Sequence, residues 1–226
     1  MLTKILVMTF KPAIYFLSLL SLTGCIFAPQ INKSKYSKQE LYAKIASKEH
    51  TSRKSQSNCS QTKNGFELSG WGNQAYYTES ALGVLKLNDF GFDFASQLYD
   101  FLQKKENLSK VTGGLELSVK KGVEYGGYID SKNNTIDFVL SSTNNQEKQV
   151  TVVLPLTPII GLFHYHANKE DCTELAGPSD IDLQADSIQK GIPGIVITKL
   201  KNRNFNVDLF LGTKHPIIID MGNYSY

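Results

Sequence analysis

Two histidines one residue apart, His164 and His166, close an apolar run that begins at Ile159. A run of that length and character reads as a strand buried on both faces, central in a sheet. Positions i and i+2 of a strand share a face, so both imidazoles are carried to one side. Gly177-Pro178-Ser179-Asp180-Ile181-Asp182 follows. It reads as a helix start, with Ser179 as N-cap and Asp182 three residues on, much like a capping box. The chain must then run strand, loop, helix, and the helix start must return to the end of the strand if the Asp182 carboxylate is to meet the two rings. Two imidazoles, one carboxylate and one open position form the layout of a catalytic zinc site.

The remaining pattern supplies the frame. Phe90, Phe94, Leu98, Phe101 and Leu102 recur at helical spacing and predict an amphipathic helix over 92–106. Leu115–Val119 alternates and predicts a strand. Val123–Asp130 and Thr135–Ser142 flank the turn-rich Ser131-Lys132-Asn133-Asn134 and predict a hairpin. Val150–Leu154 is a β-branched strand, and Pro155 and Pro158 mark a bend before Ile159. The helix from Ser179 is expected to run to about Lys190 and to stop at Gly191-Ile192-Pro193-Gly194. Ile195–Leu200, Phe205–Leu211 and Ile217–Met221 predict three more strands. The order of elements implies an α/β (α+β) domain, with a mixed β-sheet flanked by helices. Tyr165, between the histidines, should face the opposite side and pack in the core. His50 and His215 read as surface residues.

The N-terminal 65 residues have another character. Lys4 and Lys11 precede an apolar run from Ala13 to Leu22, broken only by Ser18 and Ser21. This is the pattern of a signal peptide, and it is too short for a membrane span. The run ends in Leu22-Thr23-Gly24-Cys25, which resembles the bacterial lipobox. That resemblance implies removal of residues 1–24 and lipid attachment to Cys25. With Ile rather than Asp at position 26, the same resemblance implies the outer membrane, with the protein in the cell envelope on the periplasmic face. Residues 25–65 carry eight Lys or Arg against two acids and few apolar side chains, so they predict a flexible basic tether. Residues 66–226, the domain proper, are net acidic, so the basic balance of the whole chain belongs to the tether and argues against a nucleic-acid partner. Anionic lipid head groups suit the tether's charge. A spacer whose charge does nothing specific suits it equally. With Cys25 taken by lipid, Cys59 and Cys172 remain as an even pair in an oxidising compartment, either a disulfide or two free thiols.

A zinc hydrolase also needs a general base and a donor for the developing oxyanion. Glu124, followed closely by Gly126 and Gly127, is the candidate base, since the glycines leave room for close approach of backbone or substrate. Glu116 lies nearby as the other candidate. Together, Glu124-Tyr125-Gly126-Gly127-Tyr128-Ile129, His164-Tyr165-His166 and Pro178-Ser179-x-x-Asp182 resemble the JAB/MPN (JAMM) metalloprotease superfamily, and look closest to bacterial JAB-like domains of Rhs-type polymorphic toxin proteins. The resemblance covers roughly residues 90–200. It implies a deaminase-like α/β fold and a zinc-dependent peptidase or isopeptidase acting on a protein or peptide. His164, His166 and Asp182 match the metal ligands, Glu124 the general acid/base, and Ser179 the residue that stabilises the tetrahedral intermediate. Two features depart from the family pattern: Ala167 stands where proline is common, and sixteen positions rather than about ten separate His166 from Asp182. The other reading is a non-catalytic binding or accessory lipoprotein associated with a toxin or secretion system. No Pro-Cys-x-x-Cys deaminase element, Gly-x-Ser-x-Gly elbow or phosphate loop is present.

Overall fold

The structure is a computed structural model that describes residues 31–50, 81–132, 135–146, 149–166, 177–178, 180–183, 191–200, 203–211 and 217–226, and the backbone of three short strands between them. Helix α1 spans Lys38–Ala46. The short strands are β1 (Cys59–Thr62), β2 (Gly65–Leu68) and β3 (Ala75–Tyr77), an antiparallel sheet of their own. A 3-10 segment over Ala81–Lys86 leads to α2 (Asp89–Leu102) and α3 (Lys105–Lys121). Then come β4 (Gly126–Lys132), β5 (Thr135–Leu140), β6 (Ser142–Gln146), β7 (Gln149–Val152) and β8 (Gly161–His166). The short helix α4 (Asp180–Leu183) precedes β9 (Gly194–Lys199), β10 (Asn204–Leu211) and β11 (Ile217–Ser225).

Six strands form the main sheet in the order β11-β10-β9-β8-β4-β5. Only β8 and β9 run parallel, and the other neighbours are antiparallel. A parallel pair needs a crossover rather than a hairpin, and the stretch that carries α4 supplies it. The domain is thus a mixed sheet with helices, as its order of elements predicts.

Alternation along β8 and β9 splits the sheet's two faces. Phe163, Tyr165, Ile195 and Ile197 join Phe94, Leu98, Phe101, Val111 and Leu115 in the principal core, beneath α2 and α3. Leu162, one step out of phase, packs instead against Val150 and Val152 of β7. The β6–β7 hairpin therefore covers the opposite face, the one that His164 and His166 share. Gly114 of α3 packs directly on β8, since a Cβ there would stand 2.5 Å from Tyr165 side-chain atoms.

Four expectations need correction. Leu115–Val119 is not a strand but part of α3. Val111, Leu115 and Ser118 are buried at helical spacing, and a five-residue window mistakes one face of that helix for alternation. The preceding helix starts and ends earlier than 92–106. Asn88 caps it by accepting from the Gly91 N–H, and the chain breaks at Gln103–Lys104 before α3 begins. Residues 31–50 are not a loose tether. Ser37 and Glu40 form a complete capping box on α1, and Leu41 and Ile45, one helical turn apart, are fully buried in the principal core. His50 is accordingly no plain surface residue. Its Nδ1 lies 3.1 Å from Asp220 Oδ2, and its Nε2 lies 3.0 Å from the Ile45 carbonyl.

Candidate metal centre

His164 and His166 sit at the C-terminal end of β8, rings 4.9 Å apart between centroids. Their Nε2 atoms are 3.1 Å apart. Asp182, in α4, reaches both: Oδ1 lies 3.2 Å from His164 Nε2, and Oδ2 lies 3.4 Å from His166 Nε2. Among the described residues this is the one group of three or more His, Cys, Asp or Glu whose ligand atoms gather so closely.

The donor set fits a metal ion. Ligands bonded at ~2.0–2.1 Å to a tetrahedral centre stand about 3.3–3.4 Å from one another. The three measured separations lie close to that edge length. The two facing Nε2 atoms also suit an ion between them, because two neutral imidazoles each have a lone pair to offer. His164 and Asp182 are buried and His166 is half-buried. Burial pulls the His164 pKa down, but the charge and hydrogen bond of Asp182, with the charge of Glu124, hold it above its ordinary value. Burial likewise pushes Asp182 up, and the two histidines overcome this to keep it well below the usual carboxylate range. The carboxylate is therefore ionised, the form a ligand requires.

Long-range bonds bring these residues together. His166 is opposite Thr198 in the parallel β8–β9 register. The fully buried Thr198 hydroxyl accepts from the Gly177 N–H at 3.3 Å, tying the turn before α4 to the sheet beside the histidines. Gly177 has φ +95°, a left-handed conformation that glycine adopts without penalty. The sixteen positions from His166 to Asp182 thus end on an anchored turn.

Glu124 lies in the link between α3 and β4, its Oε1 4.0 Å from His166 Nε2. Gly122 closes α3 in the left-handed region, with its N–H on the Ser118 carbonyl, and Val123 N–H reaches the same oxygen. The Ser118 hydroxyl accepts from Tyr125 N–H at 3.2 Å, and Tyr165 N–H donates to the Tyr125 carbonyl. Glu124 is held between these two anchors. Glu116, the other candidate base, is exposed on α3, where its charge acts on Tyr226.

Gly126 and Gly127 serve the sheet rather than the cavity. A Cβ on Gly126 would come 2.6 Å from the Phe163 carbonyl, and one on Gly127 would strike the Val139 carbonyl. Of the two options their presence left open, close backbone approach is the one realised. Ser118 and Thr198 were not foreseen. A lone serine near a helix end and a lone threonine in an apolar strand carry no local signal, and only the tertiary register gives them partners.

Ser179, Cys25, Cys172 and His215 lie outside the described residues, and of Cys59 only the backbone, in β1, is described. No family model, no curated protein and no solved structure matches the chain.

Proposed function

We propose that this chain is a lipid-anchored envelope protein whose domain is a zinc-dependent, JAMM-type peptidase or isopeptidase. The observation that carries the reading is the triangle of His164, His166 and Asp182 ligand atoms at 3.1–3.4 Å, with a second carboxylate, Glu124, 4.0 Å from His166. A zinc ion held by His164, His166 and Asp182 would supply Lewis acidity and would lower the pKa of a water beside it toward ~7.

The residues divide the remaining work. His164, His166 and Asp182 hold the ion. Glu124 stands outside the triangle and is assigned as general base from its match to the family pattern. It takes a proton from the attacking water and passes it to the departing nitrogen, so one amide bond and one water become a carboxylate and an amine. Ser179 is assigned as hydrogen-bond donor to the developing oxyanion, from its match to the family pattern.

Elemental analysis of the purified protein tests the reading first. One zinc per chain is expected, and His164→Ala or His166→Ala should remove most of it. Full zinc occupancy in both variants would place the ligands elsewhere. A Glu124→Gln strain should then accumulate uncleaved proteins that the wild-type strain processes. A metal-loaded protein whose Glu124→Gln variant leaves the envelope proteome unchanged would favour the accessory, non-catalytic reading.

A further inference from the structure

The N-terminal arm, residues 31–37, lies along one side of α2, beside a cleft that Ile136 and Asp137 of β5 also line. Asp93, Ser96, Gln97 and Asp100 recur there at helical spacing, and each holds the arm. Ser34 N–H donates to Asp93 Oδ1 at 2.8 Å, and Ser34 Oγ bonds Ser96 Oγ at 2.8 Å. Gln97 Nε2 donates to the Asn32 carbonyl at 3.0 Å, and Tyr36 Oη donates to Asp100 Oδ1 at 2.6 Å. Lys33 and Lys35 add ion pairs to Asp93 and Asp100 at 3.1 and 2.9 Å. The chain is thus fixed to the domain from about Ile31 onward.

Resting on the lipid-anchor reading, we propose that the α2 side of the domain faces the bilayer and that the metal centre is presented away from it, to a soluble protein or peptide substrate. The length of the leash decides this. Five residues, and so six Cα–Cα steps, separate Cys25 from Ile31. Fully extended, they span at most ~21 Å. A folded unit of about 200 residues has a radius of gyration of about 16 Å, hence a radius near 21 Å and a pole-to-pole surface path of roughly 65 Å. A leash a third of that path holds the arm's end of the molecule at the membrane. A loose forty-residue tether would allow every orientation.

The arm is bound to α2, which with α3 covers one face of the sheet. His164 and His166 project from the sheet face opposite α2 and α3, the face that β6 and β7 cover. Exposed Lys33, Lys35, Lys104 and Lys110 gather in a cleft beside the arm, a charge that anionic head groups complement. Asp100, Glu106 and Asp137 line the same cleft, so the leash and not the charge carries the inference.

Photocrosslinking of the full-length, lipid-modified protein in vesicles of phosphatidylethanolamine and phosphatidylglycerol tests it. A benzophenone residue is placed at Lys33, at Lys104, or at the exposed Thr143 of β6, and lipid adducts are counted by mass. Lys33 and Lys104 should yield adducts at least about fivefold more often than Thr143. A forty-residue Gly-Ser spacer inserted after Ala28 should erase the difference. Equal or greater labelling at Thr143, in protein shown to carry lipid on Cys25, overturns the orientation and leaves the anchor standing. Absence of lipid on Cys25 overturns the anchor, and the orientation with it.

Discussion

Tyr165 and its two flanking histidines divide one strand between two tasks. The histidines were legible because a period of two is all that is needed to set both on one face. What lies behind Tyr165 was not, since its neighbour Gly114 is fifty-one positions away and nothing local marks it. The adjacent glycines of α3 give a sharp test. Gly113 meets nothing within 4 Å, so Gly113→Ala should stabilise by about 0.5–1 kcal/mol through helix propensity and lower unfolded-state entropy. Gly114→Ala should lose stability despite the same gain, because overpacking against the buried Tyr165 ring costs about 1–3 kcal/mol. Urea unfolding of both variants checks the pair, and equal effects would mean that α3 does not seat on Tyr165 as described. His50 offers a second residue-level test. Both its ring nitrogens face pure acceptors, a carboxylate and a carbonyl, and only the imidazolium donates to both. The hydrogen bond to Asp220 raises its pKa, burial opposes, and the Asp220 charge adds to the rise. A raised histidine pKa gives stability that is complete below the unfolded value of ~6.5 and is lost as pH climbs through the folded value. The Tm difference between wild type and His50→Ala should therefore be largest near ~pH 6 and shrink by ~pH 9. A constant difference across that range would mean that His50 is neutral in the fold.

Elements were read correctly where one pattern dominated and misread where two competed. Strands β8 to β11 emerged from apolar runs with clear punctuation. Helix α3 did not, because Leu115-Glu116-Leu117-Ser118-Val119 alternates over five residues, while its helical face shows only when Val111 and Ser118 are included. Long windows settle such conflicts and short ones do not. The centre itself joins three elements that approach each other only in the fold: β8, the start of α4 and the link after α3. The turn at Gly177 is the piece with least support from local sequence, and Thr198 is its described tie to the sheet. Thr198→Val removes the acceptor while keeping the shape. It should weaken metal binding about tenfold, at the low end for groups that orient metal ligands, and leave unfolding of the metal-free protein little changed. Thr198→Ser should restore affinity. Competition titration with a chromogenic chelator reads both. If Thr198→Val binds as tightly as wild type while His166→Ala does not bind, some contact other than this one sets the position of Asp182.

For the whole molecule, the division into tether and domain is what composition misjudged. Lysine-rich stretches with scattered apolar residues look solvated, and residues 31–50 have that composition. Two apolar residues in register are enough to change the outcome once a groove exists to receive them. Leu41 and Ile45 fill such a groove beside the 3-10 segment and β11, and Asn223 N–H on β11 donates to the Glu49 carbonyl at 2.7 Å, which covers part of an otherwise open sheet edge. The segment is thus a structural layer of the domain, and truncation should expose it as one. A chain starting at residue 51 would lose both buried side chains, the His50–Asp220 pair and the edge contact. It should unfold at markedly lower denaturant, whereas a chain starting at residue 31 should match the full-length protein. Leu41→Ala and Ile45→Ala within the full chain should each cost about 2–5 kcal/mol, the range for emptying a buried aliphatic site. Circular dichroism across a urea series measures all four. Wild-type stability in the chain beginning at residue 51, together with costs under about 0.5 kcal/mol for the two alanine variants, would return residues 31–50 to the tether and remove the short leash on which the proposed orientation rests.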